Sequence, residues 1–309
     1  MHLHVKMFKD NIRLQIMLSY KAYERININY PECIFFSMYK HGDRYLILFR
    51  RRICNPNQDV NPSVFNTSSL ATYDKNLNLL SETELSDADR PTHMSYTTGI
   101  EDSRFIDEKS LLCVCCDSNP FWKPEMCHVS FSNKVEKLTP LYIEGMPHQT
   151  QKNWLFLKRH NDEEIDLLYW CDPFQIVRAN TTTGKCFFIK RYTVDGIALN
   201  AHGGGSIFLE SSKVPIEYEN KFLVSIRLFE QKPNWPCETY THTQWILLDL
   251  DYNLIGISEP FKWNDEQYEM TTSICIQDEY LLVPVICNDT DKYIYRVPLV
   301  DILGSITMF

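Results

Sequence analysis

An all-β fold, a five-bladed β-propeller forming a single domain over residues 1–309, is what this sequence predicts, and three observations carry the prediction. Helix signals are scarce: no window of twelve or more residues combines a clean 3.6-residue apolar period with caps. Strand signals are abundant, short, rich in β-branched and aromatic residues, and bounded by Gly, Pro, Asn or Asp. The third observation is a faint internal repeat. Asp74-Lys75-Asn76-Leu77-Asn78-Leu79-Leu80-Ser81-Glu82 matches Asp251-Tyr252-Asn253-Leu254-Ile255-Gly256-Ile257-Ser258-Glu259 at Asp, Asn, Leu, Ser and Glu. The offset, 251 − 74 = 177, is three times 59, and one fifth of 309 is about 62. Self-similarity at this period, in strands, is the mark of a radial array of four-stranded blades.

Taken in order, the first 28 or so residues read as a peripheral segment or a strand that closes the ring. Strands are expected over 34–39 and 45–50, joined by a hairpin turn at His41-Gly42-Asp43. Further strands are expected over 111–116, 154–157, 165–170, 175–178, 186–192, 222–229, 245–250, 273–276, 280–286 and 293–297. Polar turns like those of the repeat fall between its copies, at Ser132-Asn133-Lys134 and Thr182-Thr183-Gly184. The pair Asp249 and Asp251 imitates a metal-binding Asp-x-Asp, but it sits in an outer hairpin turn and Thr72 stands opposite Asp249 in the earlier copy.

Composition narrows the function. With 44% hydrophobic and 23% charged residues, the chain is ordinary for a globular protein. A net charge of −9 argues against a nucleic-acid partner, which Lys and Arg would have to hold, and the short run Arg50-Arg51-Arg52 does not reverse it. No apolar run approaches the ~18 residues of a membrane span. No signal-peptide core is visible near the N-terminus, so the eleven cysteines are expected reduced and the protein cytoplasmic. Three sequons, at Asn66, Asn180 and Asn288, would then be idle.

The chain's chemistry is organised around Gly99-Ile100-Glu101-Asp102-Ser103-Arg104-Phe105. If 101–106 run as a strand, alternation puts Asp102 and Arg104 on one face, and Glu101, Ser103 and Phe105 on the other. One oriented carboxylate beside a fixed cation is then the functional reading; a strand-edge salt bridge is the structural one. The stretch Ala201-His202-Gly203-Gly204-Gly205-Ser206 resembles a lipase oxyanion loop, but no Gly-x-Ser-x-Gly elbow accompanies it. It remains either a loop whose N–H groups approach an anion or sugar, or a tight inter-strand connection. Cys113, Cys115, Cys116, Cys127 and His128 lack zinc-knuckle spacing and read as core packing. Lys152, Asn153 and Trp154, followed by Trp170 and Asp172, gather a cation, an amide, a carboxylate and two stacking rings within a hairpin's length.

These residues resemble a known family. Gly99-Ile100-Glu101-Asp102-Ser103-Arg104 is similar to the Gly-x-Glu-Asp-Pro-Arg signature of the five-bladed propeller mannoside phosphorylases, which the β-1,2-mannosyltransferase/phosphorylases of parasites share. Tyr45–Arg50, Gln151–Trp154 with Tyr169–Pro173, His202–Ser206 and Asn288-Asp289 follow in family order. The resemblance implies that Asp102 is the general acid, or the base in synthesis, for inverting transfer to or from phosphate. It implies sugar contacts from Arg50, Glu101 and Asp289, with Asn153 and Asp172 also in the substrate site. Arg104, Lys152, His202 and Arg227 would hold the phosphate or other leaving group. Phosphate, a sugar phosphate or a nucleotide sugar is the implied co-substrate; no metal or other cofactor is expected. Two departures stand out: Ser103 replaces the usual proline, and Arg227 follows Ser225-Ile226 where relatives often carry a histidine.

The expectation is therefore a glycosyltransferase or glycoside phosphorylase acting on a mannose-like sugar or glycan. The alternative is an inactive propeller that binds glycans or proteins. Convergence of Asp102 and the cations on one pocket separates the two.

Overall fold

Both faces of many inner and middle strands are buried, which is why runs such as Ser110–Cys115 and Tyr280–Cys287 read as continuous apolar stretches rather than as alternation. The computed structural model describes residues 23–28, 30, 32–54, 64–87, 97–121, 123–146, 152–171, 173–194, 202–210, 214–231 and 239–309; Asp172 lies outside them.

Five sheets are built mainly from consecutive antiparallel hairpins, with Thr97–Thr98 and Tyr142–Ile143 added as short parallel strands. Blade 1 comprises Cys33–His41, Arg44–Cys54, Val64–Tyr73 and Leu79–Glu84, and blade 2 Ile100–Asp107, Ser110–Cys115, Glu125–Phe131 and Val135–Pro140. Blade 3 comprises Leu155–Arg159, Glu164–Cys171, Phe174–Asn180 and Lys185–Tyr192. Blade 4 comprises His202–Leu209, Lys221–Gln231, Thr239–Leu248 and Leu254–Ser258. Blade 5 has a broken inner strand, Glu269–Thr271 and Cys275–Gln277, followed by Tyr280–Cys287 and Asp291–Pro298. Its outer strand is Glu24–Asn27, antiparallel to Asp291–Pro298 in the register Glu24↔Arg296. The segment Ile306–Met308 adds a fifth strand to the outer edge of blade 4. The ring is thus closed by residues from both ends of the described chain.

There is no single core. Five apolar clusters fill the wedges between neighbouring blades. Phe36 and Phe49 of blade 1 meet Leu282 and Ile294 of blade 5; Trp245 of blade 4 meets Trp263 and Tyr295 on the blade 5 side. Cys113, Cys115 and Cys127 are buried between blades 1 and 2, where thiols serve as small apolar side chains. Ten cysteines among the described residues are free thiols. No helix among them is long and apolar enough to cross a membrane.

Polar turns joining third to fourth strands recur in blades 1 to 4, around Asp74, Ser132, Thr182 and Asp249. The repeat aligns differently from the sequence reading. Asp74 Oδ1 accepts from the amides of Asn76 and Asn78 at 2.8 Å each, and Asp249 Oδ1 accepts from those of Asp251 and Asn253 at 2.9 and 2.8 Å. Leu77 and Tyr252 then take the same left-handed φ of +60°. Asp74 therefore corresponds to Asp249, an offset of 175 (249 − 74), because hydrogen bonding to the turn, rather than the count of identical letters, sets the register. The Asp249 carboxylate is thus spent on its own turn. Replacing Asp249 with alanine should cost about 1–2 kcal/mol, read as a lower denaturation midpoint, since backbone donors lose their acceptor.

Candidate functional site

The inner strands of blades 1 to 4 begin at one end of the channel, and there the charged residues meet. The chain enters blade 2 at Gly99, with φ +90°; a Cβ there would stand 2.3 Å from the Asn66 carbonyl oxygen, so only glycine fits. Beyond it the register jumps from Glu101↔Val114 to Arg104↔Leu112. Asp102 and Ser103 stand on this β-bulge, with Asp102 at φ +48°.

The bulge corrects the expected alternation. Asp102 is not aligned by the Arg104 guanidinium along one strand face, and Glu101 does not point away from it. Both carboxylates grip Arg50 instead: Nη1 lies 2.5 Å from Asp102 Oδ1, and Nη2 lies 3.1 Å from Glu101 Oε2. Asn66 completes the clamp, accepting from Arg50 Nε at 2.8 Å and donating to Glu101 Oε1 at 3.1 Å. The Arg50 and Glu101 side chains are 7% and 8% exposed, whereas that of Asp102 is 20% exposed. Of the two acids, Asp102 is the more exposed.

Arg104 reaches across the ring. Its Nε donates to the Gly204 carbonyl at 3.1 Å, Nη1 to the Asp102 carbonyl at 3.2 Å and Nη2 to Asn153 Oδ1 at 3.4 Å. The Gly204 carbonyl belongs to a second bulge, between Gly203 and Gly205. The glycine run is therefore an inner strand rather than a loop. A Cβ on Gly204 would lie 2.9 Å from the Thr271 carbonyl oxygen, so the glycine lets blades 4 and 5 approach.

Arg227 is buried, donates from Nη1 to the Tyr268 hydroxyl at 2.6 Å, and lies 4.5 Å over the Phe229 ring. His202 packs edge-on against Trp170 and Phe229, with ring centroids 4.6 and 5.1 Å away. Burial and then Arg227 push its pKa down to about 4, so the imidazole is neutral at pH 7 and offers hydrogen bonds rather than charge. Trp154, 1% exposed and packed on Tyr169, is a core residue and no sugar platform; Trp170 is half-buried.

Burial works to raise the pKa of Asp102, but the charges of Arg50, Arg104, Lys152 and Arg227 outweigh it and hold the carboxyl below its ordinary range. Asp102 is a carboxylate in the free protein at neutral pH. Arg104 is itself pushed down to about 10 by burial, with Arg227 adding to the shift and Asp102 opposing it.

Arg50, Glu101, Asp102, Arg104, Asn153, His202 and Arg227 are thus linked around one end of the channel, with Lys152 near enough to act on Asp102. Asp289 is not joined to them among the described residues: it is exposed, at φ +58°, in the turn after Tyr280–Cys287. Sequence reasoning missed Asn66 and Tyr268. Asn66 carried only the signal of a sequon, yet it is buried with its amide hydrogen-bonded to Arg50 and Glu101. Tyr268 lies 41 residues from the arginine it touches, and no local pattern marks it.

No protein-family model matches the sequence, and no curated protein matches it. Solved structures do match in shape. A β-1,2-mannobiose phosphorylase from Listeria innocua, in complex with β-1,2-mannobiose, superposes with a TM-score of 0.59 at 12% identity, over 91% of this chain and 94% of that one. A structure from a study of glycoside hydrolases in the GH130 family of mannoside phosphorylases, targeting β-1,2-mannosidic linkages in Candida mannan, gives 0.57 at 11%, over 89% and 85%. A mannose phosphorylase from Leishmania mexicana in complex with phosphate gives 0.50 at 10%, over 100% and 96%. At these identities the likeness is one of fold: the chain is a five-bladed β-propeller of the shape these sugar-processing proteins share.

Proposed function

We propose that the protein is a carbohydrate-active enzyme that transfers a mannose-like glycosyl group between phosphate and a sugar hydroxyl, with Asp102 as the acid–base group. One observation carries this reading: a partly exposed carboxylate, clamped by Arg50, stands among three further cations. Arg50, Arg104, Lys152 and Arg227 against Glu101 and Asp102 leave two positive charges in excess, the complement of a phosphate dianion. An inverting glycosidase needs a second carboxylate to activate water. Here the other acid, Glu101, is committed to Arg50 and Asn66, and an incoming phosphate oxygen serves as the nucleophile without a base.

In the synthetic direction the Asp102 carboxylate accepts the acceptor hydroxyl's proton as that oxygen bonds to the anomeric carbon. The bond from that carbon to the phosphate oxygen breaks, and phosphate leaves toward the arginines with inversion. In phosphorolysis protonated Asp102 gives its proton to the glycosidic oxygen while phosphate attacks from the opposite face. The resting carboxylate is ready for synthesis. For phosphorolysis, bound phosphate offsets the arginines and raises the Asp102 pKa, so the anion prepares its own general acid.

That coupling is measurable with sulfate, which stays a dianion between pH 5 and 7. Sulfate binding should take up protons, increasingly so toward pH 5, in calorimetric titrations across buffers of different ionisation enthalpy. Binding without proton uptake would remove the coupling. The activity itself is tested by incubating the protein with sugar 1-phosphates or nucleotide sugars and oligosaccharide acceptors. Sugar 1-phosphate consumed with release of phosphate and acceptor extension is the expected result. No product from any donor, with glycans bound by folded protein, would favour a binding module.

A further inference from the structure

Two chemistries compete for the side-chain nitrogen of Asn66. Asn66-Thr67-Ser68 is an acceptor sequence for N-linked glycans, which ordinarily stand on exposed surface. Asn66 is instead 5% exposed, on the third strand of blade 1. Both hydrogens of its Nδ2 are engaged: the atom donates to the Thr98 carbonyl at 3.0 Å and to Glu101 Oε1 at 3.1 Å. Its Oδ1 accepts from Arg50 Nε at 2.8 Å. The carboxamide is needed whole, since a carboxylate could not donate to Glu101 and an alkyl chain could not accept from Arg50. The other two sequons carry no such conflict: Asn180 and Asn288 stand at turns outside the cluster, half-buried and exposed respectively.

We propose that Asn66 is a modification site at which N-glycosylation and the clamp of Arg50, Glu101 and Asp102 exclude each other, so that a glycan added during synthesis disables the charged cluster. The modification joins Nδ2 to C1 of an oligosaccharide carried on a polyprenyl diphosphate. The bond from C1 to the diphosphate oxygen breaks, the polyprenyl diphosphate departs, and one Nδ2 proton is released. The nitrogen keeps a single hydrogen, so Thr98 or Glu101 loses its donor.

Space is the harder obstacle. Gly99 stands so close to Asn66 that an added Cβ would lie 2.3 Å from the Asn66 carbonyl oxygen and 3.1 Å from the Asn66 Cβ. A contact with no room for one methyl carbon has none for a pyranose ring. The order of synthesis decides which chemistry prevails. Thr98 and Glu101 follow Asn66 by 32 and 35 residues, so the acceptor nitrogen is free while its partners are still unmade. A working cluster is therefore built only where the chain is made away from that glycosyl transferase.

The test compares the full chain made with and without a cleavable secretion leader in a eukaryotic expression host. Every version carries Thr182→Ala and Thr290→Ala, which remove the other two sequons at exposed threonines whose described hydrogen bonds run through the backbone. Ser68→Ala then removes the Asn66 sequon. Ser68 is 3% exposed and its Oγ has no partner among the described residues, so this change should leave the Tm of the leaderless protein unaltered. Peptide mapping reads the glycan, thermal denaturation the fold, and calorimetric titration with sulfate the cluster. The leader-directed parent should carry glycan on Asn66, lose sulfate binding, and melt roughly 5–10 °C lower or fail to fold. Leader-directed Ser68→Ala should match the leaderless protein in Tm and sulfate binding.

Glycan on Asn66 with an unchanged Tm would overturn the proposal. An unmodified Asn66 in the leader-directed parent would also overturn it. Equal damage in leader-directed Ser68→Ala would do the same, since the loss would then belong to the compartment and not to Asn66. Thermal denaturation requires no turnover, so these outcomes are independent of the transfer reaction proposed above.

Discussion

Arg50→Ala is expected to unfold the protein on the order of 5–10 °C earlier at pH 7 and to abolish glycosyl transfer. Arg50 is buried and serves two carboxylates and an amide at once. Removing one member of a buried charge group costs about 3–5 kcal/mol, because the partners stay behind uncompensated. The effect has a pH signature. Asp102 has a depressed folded pKa, so its stabilising contribution is present above the unfolded carboxylate value and is lost as pH falls through the folded one. The gap in Tm between wild type and Arg50→Ala should therefore be full at pH 7 and narrow below about pH 4, the ordinary carboxyl value, as Asp102 protonates. Arg50→Lys should rescue only part, since one ammonium cannot present the fork that reaches Asp102, Glu101 and Asn66 together. An Arg50→Ala protein melting with wild type at pH 7 would show that the clamp holds nothing.

Asp102→Asn should lower turnover by ~10²–10⁴, the usual worth of a positioned acid–base group. The fold should survive, because the amide oxygen can still accept from Arg50 Nη1. A second consequence separates catalysis from simple damage. Removing one negative charge leaves the cations in larger excess, so sulfate or phosphate should bind more tightly to Asp102→Asn than to wild type. Slower chemistry with tighter anion binding is the expected pair. Undiminished turnover would end the assignment of Asp102, and weaker anion binding would mean that the substitution had disturbed the cationic set.

Strands that fill the inter-blade wedges were legible in the sequence because burial on both faces leaves a run of apolar residues, as in Leu111–Cys115 or Tyr280–Cys287. Several of the strands that escaped notice are under weaker hydrophobic demand, although Glu125–Phe131, buried almost throughout, escaped too. Leu79–Glu84 is exposed throughout, and Val64–Tyr73 carries Asn66, Ser68 and Ser69. His202–Leu209 hid because close blade contact requires three glycines, which read as a loop. Leu299–Gly304, a six-residue helix, is too short to show a period. At the site, the motif singled out Asp102, but alternation could not foresee a bulge, which depends on one extra residue relative to a partner strand. The exchange of Arg104 for Arg50 as the partner of Asp102 follows from that bulge alone. Asn66 escaped notice because its partners come from the neighbouring strand, at Arg50, and from the next blade, at Glu101; Tyr268 escaped because Arg227 is brought to it only by the adjacent blade.

Ring closure also sets the order in which the molecule can assemble. Blades 1 to 3 are made of consecutive hairpins and can assemble as the chain is synthesised. Glu24–Asn27 waits for blade 5, its partner strand lying about 270 residues further on, and Leu254–Ser258 remains a bare edge until residues 306–308 have been made. Closing so long a loop adds little to the equilibrium cost, which grows only logarithmically with length, but it comes late. The Asp102 cluster draws Arg50 from blade 1, Arg104 from blade 2, Asn153 from the approach to blade 3 and Arg227 from blade 4; Tyr268 comes from the approach to blade 5. The clamp of Arg50, Glu101 and Asp102 can therefore form once blades 1 and 2 have met, whereas the full cluster waits for Arg227 and Tyr268.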